Sequence, residues 1–99
     1  MVKVATKPFD AADYLETSED IALFLQDAVE SGDAGVIAAA LGVVARSRGA
    51  SAMAAASGVS RSALYKSLAD GGNPTLAVVL AILGELGLKM EITPAKKVP

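Results

Sequence analysis

The side chains best suited to binding another molecule lie close together between residues 60 and 66. Ser60, Arg61, Ser62, Tyr65 and Lys66 combine two cationic groups with three hydroxyl groups. On a helix, residues four apart share a face, so Arg61 lies beside Tyr65 and Ser62 beside Lys66. Such groups bind phosphate oxygens and the base edges of DNA. The cluster therefore predicts a surface that recognises nucleic acid.

Two short helices are predicted to position this cluster. Residues 51–57 are mostly Ala and Ser, and residues 60–68 bring Leu64 and Leu68 to one face. Gly58 lies between them and can adopt the left-handed turn conformation at little cost. Two helices joined in this way predict a helix-turn-helix, whose second helix lies in the major groove of DNA.

Five further contributions to DNA binding are expected around the second helix. Ser60 is a good N-cap, and the amide groups behind it, with Ser51 at the start of the first helix, can hold phosphates. Tyr65 either contacts DNA or covers the core with its ring. Arg46 and Arg48 either neutralise phosphates or are simply solvated.

The net charge of −2 conceals an uneven distribution of charge along the chain. Residues 34–69 carry four bases and no acid, whereas residues 8–45 carry eight acids and no base. The acids are Asp10, Asp13, Glu16, Glu19, Asp20, Asp27, Glu30 and Asp33. The basic part suits phosphate, and the acidic part either suits a cationic partner or is a solvated helix face.

The size and composition of the chain predict one helical domain. It has 99 residues, of which 53% are apolar but only 4% aromatic, so the core must consist of closely packed aliphatic helices. Its uncharged stretches fall short of the ~18–20 residues that a membrane span needs, and no signal peptide is evident. With no cysteine, a cytoplasmic protein without membrane association is expected.

Capping signals and periodicity divide this mainly α-helical domain into about five helices and a short C-terminal strand. Thr17 and Asp20 have capping-box spacing, and Asp33 can cap a buried central helix. The helix after Thr17 should bury Ile21, Phe24, Leu25, Ala28 and Val29, and the central helix should bury Val36, Ile37, Ala40, Leu41 and Val44. The segments are a flexible arm (1–8), acidic N-terminal helices (9–32), a DNA-binding helical core (33–87), a strand (88–93) and a tail (94–99).

The C-terminal strand is predicted from a two-residue period. Leu88, Met90 and Ile92 alternate with polar residues up to Pro94. A lone strand needs a partner, which can be its own copy across a dimer axis or a strand of another protein. The remaining alternative is an extended tail laid on the core. Because a mainly helical chain offers no sheet, we favour pairing between molecules and assign dimerisation to Leu88, Met90 and Ile92.

Catalytic chemistry is poorly supported. Without His or Cys, the chain lacks a histidine-based triad, a thiol nucleophile and the usual zinc ligands. Residues 58–62 lack the closing glycine of a nucleophile elbow, and no glycine-rich phosphate loop is present. We expect no catalytic residue, metal or cofactor, and hence no enzyme.

Several sequence strings carry a resemblance to a known family. They are ALGVVARSRG at residues 40–49, GVSR at 58–61, LYK at 64–66 and GNP at 72–74. Together they resemble the HigA-like addiction-module antidotes, the antitoxins of bacterial toxin–antitoxin operons. The helix-turn-helix itself resembles the lambda-repressor-like (Xre/Cro type) domain. The resemblance extends over residues 9–92.

This resemblance implies an antitoxin that neutralises a small basic toxin of the RelE/ParE type. It also implies that the protein represses its own operon by binding an inverted repeat of operator DNA as a homodimer. Phe9, Tyr14 and Leu15, set among the acids, are then the expected anchors for the toxin. The alternatives are a stand-alone phage-like repressor without a toxin, and an interaction module that does not bind DNA. The acid-free middle of the chain argues against the second.

Overall fold

Five α-helices account for most of the residues that the computed structural model describes, which are 15–69 and 72–95. They are α1 (Ser18–Glu30), α2 (Ala34–Arg48), α3 (Ala50–Ser57), α4 (Arg61–Leu68) and α5 (Leu76–Glu85). The mainly helical prediction is confirmed. Within the described ranges no strand is formed, and the predicted strand at 88–93 is extended chain without a pairing partner.

The first two helices begin at the predicted caps. The Thr17 hydroxyl accepts a hydrogen bond from the Asp20 amide at 3.0 Å, and the Asp20 carboxylate accepts from the Thr17 amide at 3.1 Å. These contacts, with a further bond from the Glu16 amide, hold the pKa of Asp20 below its usual value. Asp33 accepts from two amides at the start of α2. Local hydrogen bonding therefore fixes where both helices start.

Helix α2 is the centre of the bundle, because it contacts each of the other four helices. Its buried residues are Ala38, Ala40, Leu41, Gly42, Val44 and Ala45. Small side chains let α4 approach closely: a Cβ added at Gly42 would lie 3.4 Å from the Leu68 carbonyl oxygen. At Gly49, with φ +105°, the chain turns by 117° from α2 into α3.

Two predicted core residues are exposed instead. Val29 and Val36 each line an open groove on the surface. Periodicity alone placed both on a buried stripe, but the helices diverge at these positions and leave the side chains uncovered. No single helix in the described ranges is long and apolar enough to cross a membrane; α2 and α3 reach that length only together, across their bend.

Candidate nucleic-acid interface

The turn between α3 and α4 is made by residues 58–60. Gly58 has φ +72°, its N–H donates to the Ala55 carbonyl at 3.2 Å, and the Val59 N–H donates to the Ala54 carbonyl at 3.2 Å. These two bonds satisfy carbonyl groups at the end of α3, and the left-handed conformation favours glycine. The predicted boundaries of both helices are confirmed to within one residue.

Ser60 caps α4 as predicted. Its hydroxyl oxygen accepts a hydrogen bond from the Ala63 amide at 3.0 Å, and its carbonyl accepts from the Leu64 amide at 2.9 Å. The amides of Arg61 and Ser62 have no hydrogen-bond partner among the described residues. Because unpaired amides and the helix dipole favour negative charge, the start of α4 is electrostatically suited to an anion such as phosphate.

The two faces of α4 differ in chemistry. Leu64 and Leu68 are buried in the core. Arg61, Ser62 and Lys66 are exposed, and Tyr65 is partly buried. The partial burial of Tyr65 is compatible with both of its predicted roles, since its ring can cover the core while its hydroxyl reaches solvent. The structure thus gathers the four predicted recognition residues on one short helix.

The other predicted DNA contacts lie at different places. Ser51 is exposed in the first turn of α3, and Arg46 is exposed near the end of α2. Arg48 is also exposed, but it lines an open groove of about 320 Å³ with Ser18 of α1 and Glu85 of α5. None of the residues lining that groove belongs to α4, so the groove brings Arg48 close to an acid rather than to the recognition residues.

The predicted toxin anchors receive little support. Phe9 and Tyr14 lie outside the described residues. Leu15 is only 8% exposed and belongs to the hydrophobic core. A side chain that is packed in its own core is not available to a partner, so Leu15 is corrected from an interface residue to a core residue.

A residue that sequence reasoning missed is Leu23 on α1, which is 71% exposed. Glu19 and Asp27, one turn before and one turn after it on the same helix face, are both exposed. Leu23 escaped notice because it lies off the 3.6-residue stripe that α1 buries. The available signal was its phase: it is a large apolar residue on the acidic side of an amphipathic helix.

The segment after α5 forms one wall of an apolar groove. Gly87, with φ +75°, ends the helix, and the Leu88 amide donates to the Leu83 carbonyl at 2.8 Å. Leu88, Met90 and Ile92 then line a groove of about 330 Å³ together with residues of α1, α2 and α5. Met90 is 47% and Ile92 87% exposed, so the three predicted dimerisation residues lie together at the surface.

Across the described ranges, no group of three or more acidic, His or Cys side chains could hold a metal ion. The fold and these surfaces therefore define a small helical binding protein with a cationic helix, an acidic helix and an apolar groove. The chain belongs to the family described as probable addiction module antidote protein, whose sequence model matches residues 5–94. Membership of this family indicates an antitoxin role in a toxin–antitoxin system.

A relative in Haemophilus influenzae (strain Rd) is described only as an uncharacterized protein. It is 37% identical to this chain over 90 residues, which cover 91% of this chain and 93% of the relative. The similarity therefore extends over nearly the full length of both proteins. None of the solved structures compared with the chain matches it significantly.

Proposed function

We propose that this protein is an antitoxin with two activities: it neutralises a toxin by direct binding, and it represses its own operon by sequence-specific DNA binding. Family membership supports the first activity. The observation that carries the second is the division of α4 into a face buried by Leu64 and Leu68 and a face that exposes Arg61 and Lys66. A short helix of this kind behind a tight turn is the recognition element of lambda-repressor-like domains.

In the proposed complex, α4 enters the major groove of the operator. The unpaired amides of Arg61 and Ser62 bind a backbone phosphate, and the Arg61 side chain reads a guanine edge. Lys66 lies five residues further on, which is about 7.5 Å along a helix and comparable to about two base-pair steps. The two cations therefore reach different positions of one half-site.

The absence of acids from residues 34–69 supports a surface that faces phosphates. A carboxylate beside α4 would repel the DNA backbone and offset the attraction of a neighbouring cation. Acids are instead concentrated on α1, where Glu19, Asp20, Asp27 and Glu30 follow one another. This segregation permits one small domain to bind an anionic and a cationic partner on separate surfaces.

The operator is proposed to be an inverted repeat bound by a homodimer. Two-fold related helices in successive major grooves require half-sites about 34–36 Å apart, one helical turn of DNA. Leu88, Met90 and Ile92 supply the dimer contact in this proposal, since they leave an apolar surface uncovered in the single chain.

The toxin partner is proposed to be a small basic protein of the RelE/ParE type. The acids of α1 accelerate its approach by electrostatic attraction. Leu23, exposed between Glu19 and Asp27, then supplies an apolar anchor, because side chains desolvated at the centre of an interface provide most of its affinity. Phe9 and Tyr14 stay in the proposal as neighbouring anchors.

A titration with the DNA upstream of the protein's own gene tests the repressor activity. We expect specific binding that competitor DNA of unrelated sequence does not displace, and a footprint with two-fold symmetry. Affinity should fall steeply with salt, since each neutralised phosphate contributes about 0.9 to the slope of log K against log salt. Equal affinity for the upstream and unrelated DNA would contradict sequence-specific repression.

A further inference from the structure

The C-terminal segment, defined here as residues 88–93, has backbone groups that await a partner. The bond from the Leu88 amide to the Leu83 carbonyl fixes its start against α5. Beyond this bond, no main-chain hydrogen bond joins residues 89–95 to any other described residue. An extended segment with unpaired N–H and C=O groups and an apolar side is a template for another strand.

We propose that the C-terminal segments of two copies pair as antiparallel strands about a two-fold axis that passes through Met90. This inference deepens the proposed homodimer and rests on it. Around such an axis, each residue faces the one equally distant on the other side of Met90. Lys89 faces Glu91 of the partner subunit, and Leu88 faces Ile92 of the partner subunit. Opposite charges and apolar side chains are therefore matched by the same register.

Neighbouring registers lose this match. An axis through Lys89 brings the two Lys89 side chains together, and an axis through Glu91 does the same for the two glutamates. Like charges directly opposite each other destabilise a strand pair. An axis between two residues pairs apolar with charged side chains and turns the apolar set away from the core. Only the axis through Met90 satisfies both the charges and the alternation.

The apolar groove supplies space for the partner's strand. Its walls include Leu25 and Val29 of α1 and Val79 of α5, and Leu88 lies at its edge. Directly opposed residues in antiparallel strands have Cβ atoms about 4.5–5.5 Å apart, so Ile92 of the partner subunit lies over Leu88 and the groove. The pairing thus covers Ile92, which is 87% exposed in the single chain.

Charge reversal tests the register. We would measure the dimer dissociation constant at low salt for the wild type, K89E, E91K and the double variant K89E/E91K. Each single change creates two symmetric like-charge contacts, and we expect it to weaken dimerisation roughly tenfold, which corresponds to about 1.4 kcal/mol. The double change restores opposite charges and should return the constant to near the wild-type value. Lys89 and Glu91 are exposed and outside the helices, so helix content should not change.

The outcomes separate this inference from the proposed function. A dimer unaffected by either single change, or one not rescued by the double change, overturns the register and leaves the homodimer to another surface. A monomeric wild type overturns both the register and the homodimer. Operator binding, measured on the same samples, decides independently whether the repressor proposal stands.

A cysteine cross-link tests the position of the axis. The chain has no cysteine, so M90C introduces a single thiol per copy. Facing residues in antiparallel strands have Cα atoms about 4.5–5.5 Å apart, within the range that a disulfide spans. We expect mild oxidation to convert M90C into a covalent dimer, while the control L76C, exposed on α5, stays mostly monomeric in denaturing electrophoresis. Equal cross-linking of the two variants, or none of M90C, contradicts an axis at Met90.

Discussion

Replacing Arg61 and Lys66 together by alanine should abolish specific operator binding without unfolding the protein. Both side chains are exposed on α4, and the buried face of the helix is left intact. Arg61 occupies the first turn of α4, where the helix dipole does not favour a cation. Its removal is therefore expected to leave stability unchanged within about 0.5 kcal/mol, as is usual at exposed sites.

The magnitude follows from two half-sites. A good bidentate contact between arginine and guanine contributes about 1–3 kcal/mol, so losing Arg61 from both subunits costs about 2–6 kcal/mol, or at least about thirtyfold in affinity. If Lys66 binds one phosphate in each subunit, its loss lowers the salt slope by about 2. Both quantities can be read from one series of titrations.

Fluorescence anisotropy with a labelled operator duplex at several salt concentrations is a suitable assay. The matched control is Lys96→Ala with Lys97→Ala, which removes the same two positive charges from the C-terminal tail. We expect the control to retain specific binding and the α4 variant to lose it, with equal helix content and melting temperature. Unchanged affinity and salt slope in the α4 variant would refute the assignment of α4 as the recognition helix.

Three further predictions concern the other surfaces. Leu23→Ala should weaken neutralisation of the toxin while Leu76→Ala, a similarly exposed leucine on α5, should not; equal effects in a growth assay would argue against Leu23 as an anchor. Truncation after Gly87 should turn the dimer into a monomer in light scattering and lower operator affinity, whereas a persistent dimer would move the interface elsewhere. Because amides of Thr17 and then Glu16 lower the pKa of Asp20 in the folded chain, its contribution to stability is complete above the ordinary value of 3.8 and lost as pH falls through the lower folded value. Asp20→Asn should remove this component from the acid unfolding curve, and an identical curve would show that the carboxylate contributes nothing.

Local signals predicted the helix boundaries well. Thr17, Asp33 and Ser60 each accept hydrogen bonds from amides within three residues, and Gly58 is the only residue type that adopts its conformation cheaply. Such interactions depend on immediate neighbours and not on the rest of the fold. For this reason the ends of the helices could be inferred from the sequence.

Burial was harder to predict because it depends on distant neighbours. Leu15 was taken for an exposed anchor but packs in the core, and Val36 was taken for core but lines a groove. Neither outcome can be derived from a residue's own period. The C-terminal strand poses a further problem, since its pairing requires a second molecule and a single chain can show only the unpaired segment.

Co-expression with the adjacent gene tests the central claim, that this protein is an antitoxin acting by direct binding. The account predicts that the neighbouring product alone arrests growth, that co-expression of this chain restores growth, and that the two proteins co-purify as a stable complex. A neighbour that does not affect growth, in a strain where this chain still represses its operon, would contradict the claim and favour a stand-alone repressor.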